Sequence, residues 1–523
     1  MSDDEKSKSR TDLENPADAD ATPTLARVSS KLGSEIALER NFSFLSCLGL
    51  AFALLNSWTA MSASLSVVLP SGGSVSMVWG LLVSALGTLA MGLSLAEICH
   101  AFPMTGGQYD WAYILAPESL RNGLSFFVGW SAAGGWVAMS AAAWAFIANF
   151  VFGILALWQP DTETKSWQWF LLYLALSLIP FVLNTFFVRT LPAIDRIGGV
   201  WSIIGIVVVS ITILATSRGN FQSPKFVFAT FYNETGWPDG MAFILGLLQS
   251  TFGLTAFDAV THLIEEMPKP SRNAPKTMVL AIILGSVTSF IFTIILLFVI
   301  RDFDTVVSAA TGPILQIYYQ ATSSQAGATC LLLFNLGGMF FSGQAIMTVA
   351  SRMVWTVARD QGLGPLSNAL KPVDPRFKVP ARAIIFVLVW VFIFGLIELG
   401  SSIVLNAILS SSVVLLQTSY FFPIFLIFIR GESAFEPARE HIVWSLGRFR
   451  RIVNGIALVF VTVTSVIFIF PPAIPVNGSS MNYVIVVVGV VGLLSTLTWI
   501  FHGRKHYKGP SQIAERLEIA KHA

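Results

Sequence analysis

The sequence predicts an all-α polytopic membrane protein with twelve transmembrane helices. Its expected core is a five-plus-five inverted repeat in which helices one and six are discontinuous. Three observations predict this. Of 523 residues, 54% are hydrophobic and only 12% charged, with a mean hydropathy of +0.69; a soluble domain carries roughly 25% charged residues. Apolar windows of about 20 residues, the length that crosses a hydrocarbon core of about 30 Å, recur along the chain. Two of those windows, five apart, have polar centres.

The windows fall near 42–69, 75–98, 122–157, 167–187, 194–216, 240–265, 277–300, 326–355, 381–399, 403–429, 453–471 and 482–502, and are called the first to twelfth segments below. The third is over-long for a perpendicular crossing and is expected to tilt or end early. Residues 1–40 are polar, rich in Ser, Asp, Glu and Lys, and lack the apolar core of a cleavable leader; they read as a disordered cytosolic tail. A membrane domain follows over 41–502, then a second cytosolic tail over 503–523. Cys47, Cys99 and Cys330 all lie inside apolar segments, so neither a disulfide framework nor a metal site is expected.

Orientation follows from the basic residues. With a cytosolic amino terminus, 28 of the 32 Lys and Arg fall on the cytosolic side, leaving Lys165, Arg218, Lys225 and Arg301 opposite. Both termini are then cytosolic. Two glycosylation sequons, Asn233-Glu-Thr and Asn477-Gly-Ser, fall on the outer side. The basic residues sit in short loops rather than on one face, which gives no nucleic-acid footprint.

The sixth segment carries Thr251-Phe-Gly-Leu-Thr-Ala-Phe-Asp258 at its centre and ends in the charged loop Glu265-Glu266-Met-Pro268. The first carries Asn56-Ser57-Trp58-Thr59, with Ser62 and Ser64 beyond. In hydrocarbon an unpaired peptide group costs several kcal/mol, so broken helix survives only where it lines a protected cavity. Interrupted helices in matching positions of two halves point to a solute site. They imply repeats over about 42–216 and 240–429, with the last two segments, about 453–502, peripheral and without polar centres. A Ser/Thr-rich packing face is the alternative for the first segment.

Four stretches carry a family resemblance: Phe252-Gly-Leu-Thr-Ala-Phe-Asp258 with Glu265-Glu-Met-Pro-Lys-Pro-Ser-Arg-Asn-Ala-Pro275; Leu95-Ala-Glu97 on to Gly106-Gly107-Gln-Tyr109; Ser351-Arg352 on to Arg359-Asp360; and Leu54-Leu-Asn56-Ser57-Trp58-Thr59. Over roughly residues 40–500 the chain resembles the amino acid–polyamine–organocation superfamily, and at the first segment its fungal amino acid/choline permease branch. The resemblance implies a secondary active permease importing amino acids, γ-aminobutyrate, choline or related amines by alternating access, with a proton as the coupling ion. One departure stands out. Many amino-acid carriers of the superfamily place Gly-x-Gly in the first break, where bare amides hold a carboxylate; here the place reads Asn56-Ser57-Trp58. A substrate without a carboxylate therefore stays open.

The candidate site residues are Asn56, Ser57, Trp58, Thr59, Trp130, Thr251, Phe252, Gly253, Leu254, Thr255, Phe257 and Asp258. No Lys or Arg lies mid-segment, while Glu97, Asp258 and Glu398 place carboxylates at or near membrane depth, where ionisable groups mark function. Asp258 can neutralise a substrate amine, take the coupling proton, or cap the inner half of the sixth helix. Trp58 and Phe252 can wall a pocket by cation–π contact, worth about 0.5–2 kcal/mol each, and the small-residue run from Gly129 to Ala148 suits close packing, with substrate contact near Gly134. Glu97, Glu265, Glu266, Lys269, Arg272, Arg352, Arg359 and Asp360 form a candidate cytosolic gate, or else plain loop charge; for Glu97 the bland reading is pairing with a loop residue. No Walker-type loop occurs, so ATP-driven transport is unsupported. His262 has no matching cluster of nucleophile, base or metal ligands, so neither an enzyme nor a cofactor is expected. A sensor that binds solute without moving it is the remaining alternative, and flux separates the two.

Overall fold

The computed structural model describes residues 44–511, apart from 268, 399–403, 442 and 478–480, together with residue 513. The tail expected over 1–40, most of the tail over 503–523, and the side chains of Glu265, Glu266 and Glu398 lie outside the described residues. Among those described, the regular elements are helices, joined by one isolated antiparallel bridge between Ser71 and Asn233.

Among the described residues, ten helices are long and apolar enough to cross a membrane, and they correspond to every segment but the first and ninth. The ninth forms Ala381–Glu398, whose apolar part is shorter. The first is split into Phe44–Leu55, Ser57–Ala63 and Leu65–Val68. The third neither ends early nor breaks: it runs Arg121–Trp158, 38 residues. At 1.5 Å per residue that is about 57 Å, far beyond a perpendicular crossing. Short helices Gln108–Leu115, Pro224–Ala229, Phe303–Val307 and Pro313–Thr322 connect the segments.

The third helix packs most extensively on those of the tenth and eighth segments, and the seventh on the second. Its small residues allow this. A Cβ on Gly135 would stand 2.9 Å from the Leu416 peptide nitrogen, and one turn away the Ser131 hydroxyl donates to the Leu415 carbonyl at 2.8 Å. Without a hydrophobic drive between helices in lipid, close backbone approach and such bonds hold a bundle together. Gly134 faces Val491 of the twelfth segment instead of the molecule's centre.

Of the last two segments, the twelfth has 11% of its apolar window buried and the eleventh 33%, the same share as the fourth and fifth. The eleventh, Arg450–Ile467, is tied in by polar contacts. Arg450 pairs with Glu97, Ser94 donates to Asn454 Oδ1 at 2.6 Å, and Thr464 donates to Gln417 Oε1 at 2.9 Å. These anchors sit near the ends or on a flank of the segment, where a search for a polar centre misses them.

Candidate functional site

The sixth-segment helix runs Asp239–Leu254, leaves helical geometry at Thr255 and Ala256, and resumes as a 3₁₀ turn over Phe257–Glu266. The break is narrower than the polar stretch Thr251–Asp258, because Thr251 to Leu254 remain helical. Thr255 turns its hydroxyl back to the Thr251 carbonyl at 2.7 Å, satisfying one freed acceptor. Ala256 sits at φ 81°, a left-handed conformation that costs a non-glycine residue about 1–2 kcal/mol. Such strain persists where the surroundings over-determine it, and it clusters at functional positions.

The first break is a single residue. Asn56, at φ 36°, ends one helix through its N–H to the Phe52 carbonyl at 2.8 Å. It starts the next through its carbonyl, which accepts from Thr59 and Ala60 at 3.0 Å each. Asn visits this conformation at low cost. Ser342 of the eighth segment donates to the buried Leu54 carbonyl at 2.5 Å, beside the break. The two interrupted helices cross at Gly253, where a Cβ would come within 2.7 Å of Met61 Cγ, and Gln249 donates to the Met61 carbonyl at 2.8 Å.

Asp258 is wholly buried just past the break. Its Oδ1 accepts from the Tyr420 hydroxyl at 2.6 Å and its Oδ2 from Gln108 Nε2 at 2.6 Å. His262 Nε2 lies 3.6 Å from Oδ2. The carboxylate's two ring partners are themselves packed on aromatics: Tyr420 against Phe257 at 5.2 Å and His262 edge-on to Trp136 at 5.9 Å between centroids, while Phe252, on the amino-terminal side of the break, meets Phe146 at 5.7 Å. Thr251 is bonded to Ser84 at 3.2 Å, and Leu254 packs on Met61 and Leu81. Sequence reasoning missed Gln108, Tyr420 and Trp136. Gln108 stood inside the quoted Gly106-Gly107-Gln-Tyr109 motif, but its partner lies 150 residues away.

The first-break residues face elsewhere. Trp58 donates from Nε1 to Ser202 at 2.9 Å and sits edge-on to Phe292 at 5.0 Å, between the fifth and seventh segments. Ser202 passes its own hydrogen bond to Asn56 Oδ1 at 2.8 Å. Thr59 and Asn56 lie beside Gly338 of the eighth segment, and Ser57 beside Gly285 of the seventh. Trp130 is drawn to the Gly362 carbonyl at 2.8 Å, at the end of the eighth helix, away from both breaks. The candidate residues brought together around Asp258 thus come mainly from the sixth segment, and of the third-helix tryptophans Trp136, not Trp130, meets it through His262.

Among the described residues, buried polar atoms without a hydrogen-bond partner are spread through the bundle, and those at or near the two breaks are Asn56 Nδ2, Ser57 Oγ, Thr59 Oγ1, Gln108 Oε1, Trp136 Nε1 and His262 Nε2.

The candidate gate residues divide. Glu97 holds Arg450 in a fork, at 3.0 Å from Nε and 2.9 Å from Nη2, and also accepts from Ser445 and the Leu446 N–H. Asp360 accepts from the Tyr109 hydroxyl at 2.7 Å and from Ser511, N–H at 3.1 Å and hydroxyl at 2.6 Å. Arg359 stacks on Trp355 at 4.7 Å. Lys269, in left-handed geometry at φ 47°, and Arg272 are exposed at the start of the seventh-segment helix, and Arg352 lies half-buried in the eighth. Of the sequons, Asn233 already uses its amide on the Trp237 carbonyl at 2.8 Å and Asp239 at 2.9 Å, whereas Asn477 is exposed.

Residues 42–491 match the family described as amino acid permease. The choline transporter of Saccharomyces cerevisiae is 35% identical over 478 residues, 90% of this chain and 83% of that one. The swainsonine transporter swnT of Arthroderma benhamiae is 27% identical, covering 95% and 99% of the two chains. The amino-acid permease BAT1 of Arabidopsis thaliana is 27% identical, covering 92% and 95%. With its long apolar helices, two broken segments and buried carboxylate, the chain belongs to the amino acid permease family of the amino acid–polyamine–organocation superfamily: a multi-pass integral membrane transporter of amino acids or amines, and not an enzyme.

Proposed function

We propose that this protein is a secondary active carrier that imports a cationic amine, choline or a close relative, together with a proton. Twelve segments would form it, ten of them in the five-plus-five inverted repeat. The crowded basic side would be cytosolic, with both termini there, and the host the plasma membrane. The observation that carries the reading is Asp258, a fully buried carboxylate at the sixth-segment break, with no Lys or Arg in the middle of any segment to receive an anion.

Two further points support it. The carboxylate is hydrogen-bonded to Tyr420, which packs on Phe257, and faces His262, which meets Trp136, with the Phe252–Phe146 pair at the other end of the break, and an ammonium gains about 0.5–2 kcal/mol over each aromatic face it meets. Two relatives are named for choline and swainsonine, both amines that carry no carboxylate. This agrees with Asn56-Ser57-Trp58 standing where amino-acid carriers keep bare glycine amides. Alternating access would expose the site to each side in turn.

The test is competition for uptake among choline, γ-aminobutyrate, neutral and basic amino acids, with and without a proton uncoupler. Choline should compete best, the uncoupler should abolish accumulation, and Asp258→Asn should lose at least tenfold in uptake at equal surface amount. Full transport by D258N, or binding without flux in the parent protein, contradicts the reading.

A further inference from the structure

Resting on the carrier reading above, we propose that His262 Nε2 is the atom that takes the coupling proton, with Asp258 as its fixed counter-charge. The geometry assigns the tautomer. His262 Nδ1 lies 3.1 Å from the Thr105 carbonyl oxygen, which can only accept, so Nδ1 carries a hydrogen. The other nitrogen, buried and without a hydrogen-bond partner, faces Asp258 Oδ2 at 3.6 Å. In the neutral ring, two acceptors therefore oppose each other across a gap too long for a hydrogen bond.

One added proton resolves this. It bonds to the Nε2 lone pair, no other bond breaks, and the imidazole becomes an imidazolium beside a carboxylate. A charge-assisted N–H···O contact closes to about 2.8 Å, roughly 0.8 Å shorter than the present gap. His262 belongs to the 3₁₀ stretch Phe257–Glu266, while Asp258 is held from outside by Gln108 and by Tyr420. Closing the gap therefore tightens that stretch against the Thr105–Gln108 loop and the tenth segment. The proton thereby acts on the inner half of the broken helix. The protonated pair carries no net charge, so it tolerates a cation bound on the neighbouring aromatic faces, as symport requires.

The surroundings supply no competing cation among the described residues. The groups facing His262 are Asp258 on its own element, Trp136 on the third helix, and the Thr105–Gly107 backbone, whose Gly107 position lies 3.6 Å from the ring's Cε1 when a Cβ is placed there. Tyr420 stands behind the Asp258 carboxylate. Asp110 lies beyond the loop, accepting from the Gly106 N–H at 2.9 Å.

Two measurements on the full-length purified protein test this. In ¹⁵N-histidine spectra, one of the six histidines should show the Nδ1–H tautomer when neutral, gain its Nε2 proton as pH falls, and be missing from His262→Gln. Should H262Q fail to fold, Trp136→Phe assigns the same resonance through its lost ring-current shift. A His262 ring that keeps one protonation state from about pH 4 to 9, or is Nε2–H when neutral, overturns the proposal. In liposomes, each imposed pH unit should raise choline accumulation up to tenfold in the parent protein and leave any uptake by H262Q unchanged. An equal pH response in both proteins overturns it too. If the parent accumulates none of the amines with or without an imposed pH gradient, the carrier reading fails instead, and the histidine resonance alone decides where the proton binds.

Discussion

Replacing Arg450 by methionine should cost the protein about 3 kcal/mol of stability. Glu97 and Arg450 bury their side chains to 1% and 9% exposure, and the guanidinium contacts both carboxylate oxygens. Removing one partner of a buried pair costs about 3–5 kcal/mol, because the other charge is stranded. The lower end applies here, since Ser445 and the Leu446 N–H still donate to Glu97 in the variant. Replacing both residues by methionine should restore stability to within about 1 kcal/mol, as apolar replacements of buried pairs often do; exposed Ser445 can turn to water. A double-mutant cycle by reversible SDS titration in mixed micelles reads the coupling directly. The reasoning fails if R450M stays within about 1 kcal/mol of the parent, or if the two single losses simply add. An additive result would leave the Ser94–Asn454 hydrogen bond and packing to hold the second and eleventh segments together.

Ala256→Gly should stabilise the fold by about 1 kcal/mol in the same titration, because glycine adopts the observed φ of 81° without penalty. Gly135→Val should lower the folded yield sharply, measured as monodisperse protein after extraction, since its Cβ would press on the Leu416 backbone at 2.9 Å. Asp302 caps the short helix Phe303–Val307, and its hydrogen bonds from Thr305, side chain first, hold its carboxyl below the usual range. A depressed folded value stabilises above the unfolded value of about 3.9 and is lost as pH falls through the folded one. Protection of the amides at residues 303–307 against hydrogen exchange, relative to their intrinsic rates at each pH, should therefore fall below about pH 4 in the parent protein, and already be low at neutral pH in Asp302→Ala.

The segments were legible because hydrocarbon imposes a length and a composition that any window of sequence reveals. The breaks were legible for a related reason: Asn56 and the Thr251–Asp258 stretch are polar where polarity is costly. The sequence could not say which way those residues turn. Trp58 points between the fifth and seventh segments because Ser202 offers its indole a partner 144 residues away. Gln108 and Tyr420 reach Asp258 from sequence distances of 150 and 162 residues. Trp130 and Trp136 lie on one helix six positions apart, and periodicity alone cannot decide which of them meets the sixth segment. The charges near the loops were harder still, since Glu97 finds Arg450 only once the eleventh helix lies along the second.

The two breaks differ in kind, and that difference bears on mechanism. At Asn56 the chain turns in a conformation asparagine tolerates, its freed groups are taken up by Thr59, Ala60 and Ser342, and its side chain is fixed by Ser202. At Ala256 the backbone is strained, and the residues just beyond it carry the buried carboxylate and the half-paired His262. A hinge that works by charge needs its titratable groups on the strained side, where a change of 0.8 Å or so can be repaid by relaxing the backbone. On the proposed mechanism the first segment would serve as a rigid support. By this argument, perturbing Asn56 should weaken folding and substrate affinity together, whereas perturbing Asp258 or His262 should change what drives transport while the fold persists.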